Sequence, residues 1–237
     1  LLNYYRAVLP KFGVNLRMGL EVTPEQVSQE KPDLVVVATG ATPLKPPIEA
    51  VDAPNVVQAW DVLKGNVQTG VNVVVVGGGS VGLETAKFLA AKGTISPDQL
   101  HFLTLHEAES PEVLRELMLK GAKRVTVIEM ASKMGQDVGR STRWVLLKEL
   151  ELRGVTLIAE AKMKEIAPDH IAYTDSQGIA VELAADTVVM AMGSRPENSL
   201  AHKLEEAGVE VRVIGDAKKC GRISDALEEG LALACMV

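Results

Sequence analysis

Residues 77–82 read Gly-Gly-Gly-Ser-Val-Gly and supply G-x-G-x-x-G as Gly77, Gly79 and Gly82. Such a string does chemistry only where a turn leaves a strand and opens a helix. Here NVVVV precedes it and the amphipathic LETAKFLAAK follows, so the setting is met. Gly77 permits the tight turn, Gly79 lets a pyrophosphate approach the backbone, and Gly82 lets helix and strand pack closely. Gly78, Ser80 and Val81 complete the loop. The helix start is expected to offer free N–H groups and a partial positive charge to phosphate oxygens. That chemistry is dinucleotide binding.

A dinucleotide also needs an acidic residue at the end of the next strand, to accept from the ribose 2′-OH. Glu129, in RVTVIEM, has that position, but it lies 47 residues past Gly82, where about 20 is usual. Residues 94–121, TISPDQLHFLTLHEAESPEVLRELMLKG, are polar and helical with no strand pattern. They read as an insert that accounts for the excess. A carboxylate at 129 favours NADH, because a 2′-phosphate would meet like charge. Glu84 is expected in the first turn of the helix after the loop. It would gain from the helix dipole there, by about 0.3–1 kcal/mol, or stand near the nicotinamide.

A second pattern occurs twice. DLVVVATGATP at 33–43 returns as DTVVMAMGSRP at 186–196, 153 residues further on. Each copy is an apolar strand opened by Asp and closed by glycine and proline. The repeat reads as a duplicated dinucleotide-binding unit. Near the end, VIGDA places Gly215-Asp216 after a third buried strand, where a carboxylate could bond a polyol or ribose.

The elements that must position these residues follow from periodicity and punctuation. Residues 1–12 read as a helix ended by Gly13, and 14–22 alternate as a strand. A short helix precedes the Asp33 strand, and 41–54 is a Pro-rich crossing segment. AWDVLKG is a short helix stopped by Gly65, and a longer helix runs through RSTRWVLLKELELRG. Segments 155–167, 170–174 and 179–191 read as an antiparallel meander. A strand at 211–217 and a helix from about Ser224 close the chain. Strand–helix alternation followed by a meander predicts an α/β fold built around a parallel sheet.

Composition narrows the class. The chain has 237 residues, 47% hydrophobic and 24% charged, with a net charge of −6. That charge argues against a nucleic-acid partner. No apolar run reaches the ~18 residues of a membrane span, and no signal-peptide pattern is present. Cys220 and Cys235 are the only cysteines, so a reducing cytoplasm is expected. His101 and His106 stand five residues apart, on different helix faces, and no metal site is expected.

Together, ATG at 38–40, GGGSVGLE at 77–84, Glu129, AMGSRP at 191–196 and IGDA at 214–217 resemble the pyridine nucleotide–disulfide oxidoreductase superfamily. The resemblance implies a Rossmann-like FAD/NAD(P)-binding fold, a three-layer parallel sheet plus a meander. An NAD(P) domain at 65–198 would be inserted into an FAD domain split between 1–64 and 199–237. It carries Ala38, Thr39, Gly40, Gly215 and Asp216 over as FAD contacts, and Met192 and Gly193 as NAD contacts. It names no catalytic residue.

AWDVLKG, FLAAKGTISPD and VIEMASKMGQDVGRSTRW are further similar to the C-terminal reductase module of the 2-enoate reductase and 2,4-dienoyl-CoA reductase group. By that resemblance NADH gives hydride to FAD. Electrons then pass through a [4Fe–4S] cluster to FMN in an upstream barrel domain, and the C=C bond of an unsaturated acid or thioester is reduced. Alternatives are a non-catalytic ADP-binding scaffold, as in trimethylamine dehydrogenase, and a ferredoxin- or rubredoxin-linked NADH reductase. A homo-oligomer stays open.

The two closing turns call for two glycine-rich openers, and only one is present. The FAD opener, the barrel and the cluster cysteines are therefore expected upstream of Leu1, since a cluster needs four cysteines. The FAD domain is expected to be truncated in this chain. An absorbance spectrum of the purified chain should then show no flavin band. A band near one equivalent would overturn that expectation.

Overall fold

The computed structural model describes residues 1–236. In chain order the helices begin with α1 (Leu2–Val8), α2 (Pro24–Glu30), α3 (Ala59–Lys64), α4 (Ser80–Ala90) and α5 (Pro97–Leu105). They continue with α6 (Pro111–Leu119), α7 (Arg140–Leu152), α8 (Ser199–Glu206) and α9 (Ile223–Ala234). The first strands are β1 (Val35–Val37), β2 (Ala41–Pro43), β3 (Val56–Gln58), β4 (Asn72–Val76), β5 (Arg124–Ile128) and β6 (Thr156–Ile158). The remaining strands are β7 (Lys162–Ile166), β8 (His170–Thr174), β9 (Ala180–Ala184), β10 (Thr187–Met190), β11 (Ser194–Pro196) and β12 (Val211–Val213).

The chain divides into two compact units, Thr42–Arg195 and the paired ends Leu1–Ala41 with Pro196–Val237. In the first unit, β3-β10-β4-β5-β6 form a parallel five-stranded sheet. β4 explains how the sheet is layered. Successive side chains leave a strand on opposite faces, and all four valines of β4 are buried. Val73 and Val75 pack with Leu83, Ala86 and Leu89 of α4 and Leu150 of α7. Val74 and Val76 pack with Met163, Ile171 and Tyr173 of the antiparallel β7-β8-β9 sheet. Three layers result, with the parallel sheet in the middle.

Two expectations are corrected here. Only 162–184 form the meander. β6 pairs in parallel with β5, and β10 lies between β3 and β4. The reason is visible in β10, whose Thr187, Val188, Val189 and Met190 are all buried. A strand covered on both faces reads as a continuous apolar run, not an alternation. Residues 14–22 form no strand. They have no ladder partner among the described residues, and alternation without pairing does not make a strand. Residues 42–64, expected with the first segment, go with the central sheet, because Val56 is in register with Val188.

The 94–121 insert is the helical pair α5 and α6. Ser96 caps α5 in a capping box with Gln99, and the Ser110 hydroxyl accepts from Val113 N. Its two ends meet, since Ala122 N donates to Lys92 O at 2.7 Å. The insert therefore leaves and re-enters at one point and does not displace β5 from β4.

The repeated segments behave alike. After each strand comes a left-handed glycine, Gly40 at φ 82° and Gly193 at φ 90°. β2 and β11 follow these glycines, occupy equivalent places in the repeat, and pair with each other. Leu44 N donates to Gly193 O at 3.0 Å, and its counterpart Glu197 N donates to Gly40 O at 2.9 Å. Asp186 explains the leading Asp of the second copy. It accepts from Val71 N at 2.9 Å and Asn72 N at 2.6 Å, tying the entry of β10 to β4. The Asn72 backbone N–H, followed by its side-chain amide, holds this carboxyl below the ordinary Asp value.

In the other unit, β1 and β12 pair in parallel from Val35↔Val211 to Val37↔Val213. Val37 packs with Ala201 and Leu204 of α8 and with Val27 of α2. Among the described residues, no helix is long and apolar enough to cross a membrane.

Candidate nucleotide site

At the carboxyl ends of β4, β5 and β10, a cleft of about 490 Å³ is lined by Gly77, Gly79, Glu129, Met192 and Gly193. Apolar walls come from Val76, Ile128, Met163 and Pro46-Pro47-Ile48. Crevices outside the carboxyl ends of parallel strands are where such sheets take ligands.

The glycine loop is built by close approach. Gly77 has φ 111°, and a Cβ there would stand 2.4 Å from Ala191 O. A Cβ on Gly82 would stand 1.9 Å from Gly77 O. These two glycines set the distance between α4 and the sheet. Gly79 differs. Its φ of −74° is ordinary, and the nearest atoms to an added Cβ are the Asp137 carboxylate oxygens, at 3.3 and 3.4 Å.

Glu129 is half-buried and doubly held. Its Oε2 accepts from Gly78 N at 2.5 Å, and its Oε1 accepts from Ala131 N at 2.8 Å. One strand-end carboxylate thus anchors the loop beside the cleft. Gly78 is closed in as well, since an added Cβ would meet Met134 Sδ at 2.4 Å and Glu129 Cβ at 2.9 Å.

Ser80 opens α4, but its N–H is not free as expected. Asp137 accepts it at 2.9 and 3.0 Å, and accepts the Ser80 hydroxyl at 2.7 Å. Val81 packs against the helix-side core. Glu84 is exposed and is the fifth residue of α4, past its first turn. Since the dipole falls off within one turn, that expectation is corrected.

Asp137 and Met134 were missed by reasoning from the motif. Their segment, MGQDVG at 134–139, lies shortly after β5 and folds back on the loop, with Gly135 N donating to Gly78 O at 2.6 Å. An acid between two glycines after the second strand was the available signal.

The residues after β1 and β12 also share one sheet end, since Ile214 N donates to Val37 O. There the Thr39 hydroxyl donates to Glu197 O, and Asp216 accepts from Gly221 N at 3.0 Å. Gly215 has φ 60° and donates its N–H to Glu229 at 2.7 Å. That N–H first, and Lys218 second, hold the Glu229 carboxyl below its ordinary value. Ala38 and Gly40 complete the turn after β1. Among the described residues, no group of three or more His, Cys, Asp or Glu could hold a metal ion.

Residues 5–220 match the family described as pyridine nucleotide-disulphide oxidoreductase. The chain belongs to that family. Membership implies binding of FAD and NAD(P)H, and it accounts for a strand–glycine–helix loop facing a strand-end acid. Among relatives, a metal reductase of Desulforamulus reducens is 40% identical over 221 residues, 92% of this chain and 33% of that protein. An NADH oxidase of Thermoanaerobacter brockii is 32% identical over 240 residues, 99% of this chain and 32% of that protein. Among solved structures, a 2-naphthoyl-CoA reductase in complex with 2-naphthoyl-CoA superposes with a TM-score of 0.79 at 26% identity, covering 97% of this chain and 30% of that one. The chain spans about a third of the length of the curated relatives it matches.

Proposed function

We propose that this pyridine nucleotide-disulphide oxidoreductase chain is the NADH-oxidising, FAD-linked reductase module of an enoate-reductase-like enzyme. The observation that carries the reading is Glu129, held at the end of β5 by Gly78 N and facing the cleft. The residues fit a dinucleotide. Gly79 lines the cleft without a side chain, Glu129 would offer carboxylate oxygens to a ribose, and Met192 and Gly193 line the cleft at the end of β10. When bound, the cofactor pair supplies hydride transfer from nicotinamide to flavin. This chain's part is to bind, orient and shield.

In the paired-ends unit, Ala38, Thr39, Gly40, Gly215 and Asp216 would meet the flavin nucleotide. Reduction of a C=C bond in an unsaturated acid or thioester belongs to the proposal, supported by the likeness to a reductase that acts on an acyl-CoA thioester. So does an FMN-bearing domain elsewhere in the same protein as electron acceptor.

Cofactor choice tests the reading at Glu129. The NADH-to-NADPH affinity ratio should fall about 10-fold or more in Glu129→Ala, and approach inversion in Glu129→Arg, for a charge-assisted bond of about 1.5–3 kcal/mol. Taking the ratio cancels the loop support that both variants lose. A native preference for NADPH, or an unmoved ratio in Glu129→Arg, would sink the reading.

A further inference from the structure

We propose that Asp137 is an internal stand-in for the cofactor's pyrophosphate, seated on the glycine loop when no nucleotide is bound and displaced when one arrives. The inference rests on the nucleotide reading of the cleft. Ser80 N is the first N–H of α4, the kind of donor that an anion at a helix start takes. Both Asp137 oxygens share it, and the Ser80 hydroxyl bonds one of them as well. The same oxygens stand against the open side of Gly79. A carboxylate therefore fills the place where the glycine pattern leaves room for phosphate.

Two anions cannot share one N–H at that distance, because each would lose the donor and face like charge. The bond can be exchanged. Asp137 is exposed, between the left-handed Gly135 at φ 62° and Gly139. The rest of its segment has separate anchors, namely Gly135 N on Gly78 O and buried Met134. Releasing the carboxylate leaves those anchors in place. The consequence is a cleft whose hold on pyrophosphate is weakened by an internal competitor, which favours cofactor release.

A capping role alone predicts no gain in affinity from the same substitution. Asp137→Asn keeps an oxygen for Ser80 N and removes the charge. By calorimetry on the 237-residue chain, ADP and NADH should bind on the order of ten-fold tighter to the variant. Adenosine, which lacks phosphate, should bind the two chains equally. ADP affinity unchanged or weakened in a folded variant overturns the inference and leaves the nucleotide site standing. If ADP binds neither chain, the nucleotide reading fails and takes the inference with it. Should the variant not fold, the Ser80 amide resonance of the unaltered chain decides. It should shift as ADP saturates the cleft and the N–H changes acceptor, and a static resonance refutes the exchange.

Discussion

Gly79→Val should abolish measurable NADH binding while leaving the fold intact. The two halves of that result have separate causes. Backbone at residue 79 is held at φ −74°, ψ −175°, an extended conformation open to any residue. The atoms nearest to the added Cβ belong to the flexible end of Asp137, so the protein can give way. A pyrophosphate cannot, because the branched side chain would occupy the approach to the helix N-terminus. Loss of two charge-assisted hydrogen bonds at about 1.5–3 kcal/mol each corresponds to an affinity drop of about 100-fold or more. Calorimetry measures the binding and far-ultraviolet circular dichroism the fold. Unchanged affinity with an intact spectrum would reduce the loop to a turn.

The position of that loop was legible because it is local. A valine run, three spaced glycines and an amphipathic segment lie within 21 residues, Asn72–Lys92. Their geometry follows from close approach between chain neighbours. Glu129 was legible despite its spacing, since an insert whose ends meet leaves strand order unchanged. The repeat at 33–43 and 186–196 was also legible, though not that its two closing strands pair with each other. What stayed hidden depends on partners distant in sequence. Asp137 bonds a residue 57 positions away, and no local pattern announces a long-range cap. Residues 14–22 alternate as a strand should, yet they lack a ladder. The true meander was blurred because β6 and β10 flank it in sequence while belonging to another sheet. Periodicity reports which faces are covered, and what covers them is tertiary.

Gly82→Ala should destabilise the central unit by about 3 kcal/mol or more, at the upper end of the cost of overpacking a rigid site. The usual expectation has the other sign, since Gly→Ala inside a helix gains about 1 kcal/mol. Gly82 lies inside α4, where alanine is conformationally at ease. Space decides against it. The new Cβ would fall 1.9 Å from Gly77 O, a backbone atom, with Ala191 Cβ at 3.3 Å behind it. Gly77 cannot retreat, because its N–H donates to Ile128 O at 2.9 Å and its own missing Cβ already admits Ala191 O. The helix must move off the strand instead, loosening Leu83, Ala86 and Leu89 from Val73 and Val75. Gly230→Ala in α9 is the control, since nothing lies within 4 Å of its added Cβ. It should be neutral or gain up to about 1 kcal/mol. Urea unfolding followed by circular dichroism reads both. An unchanged midpoint for Gly82→Ala would mean that α4 shifts freely, and the third glycine would no longer explain how closely helix and sheet approach at the cleft.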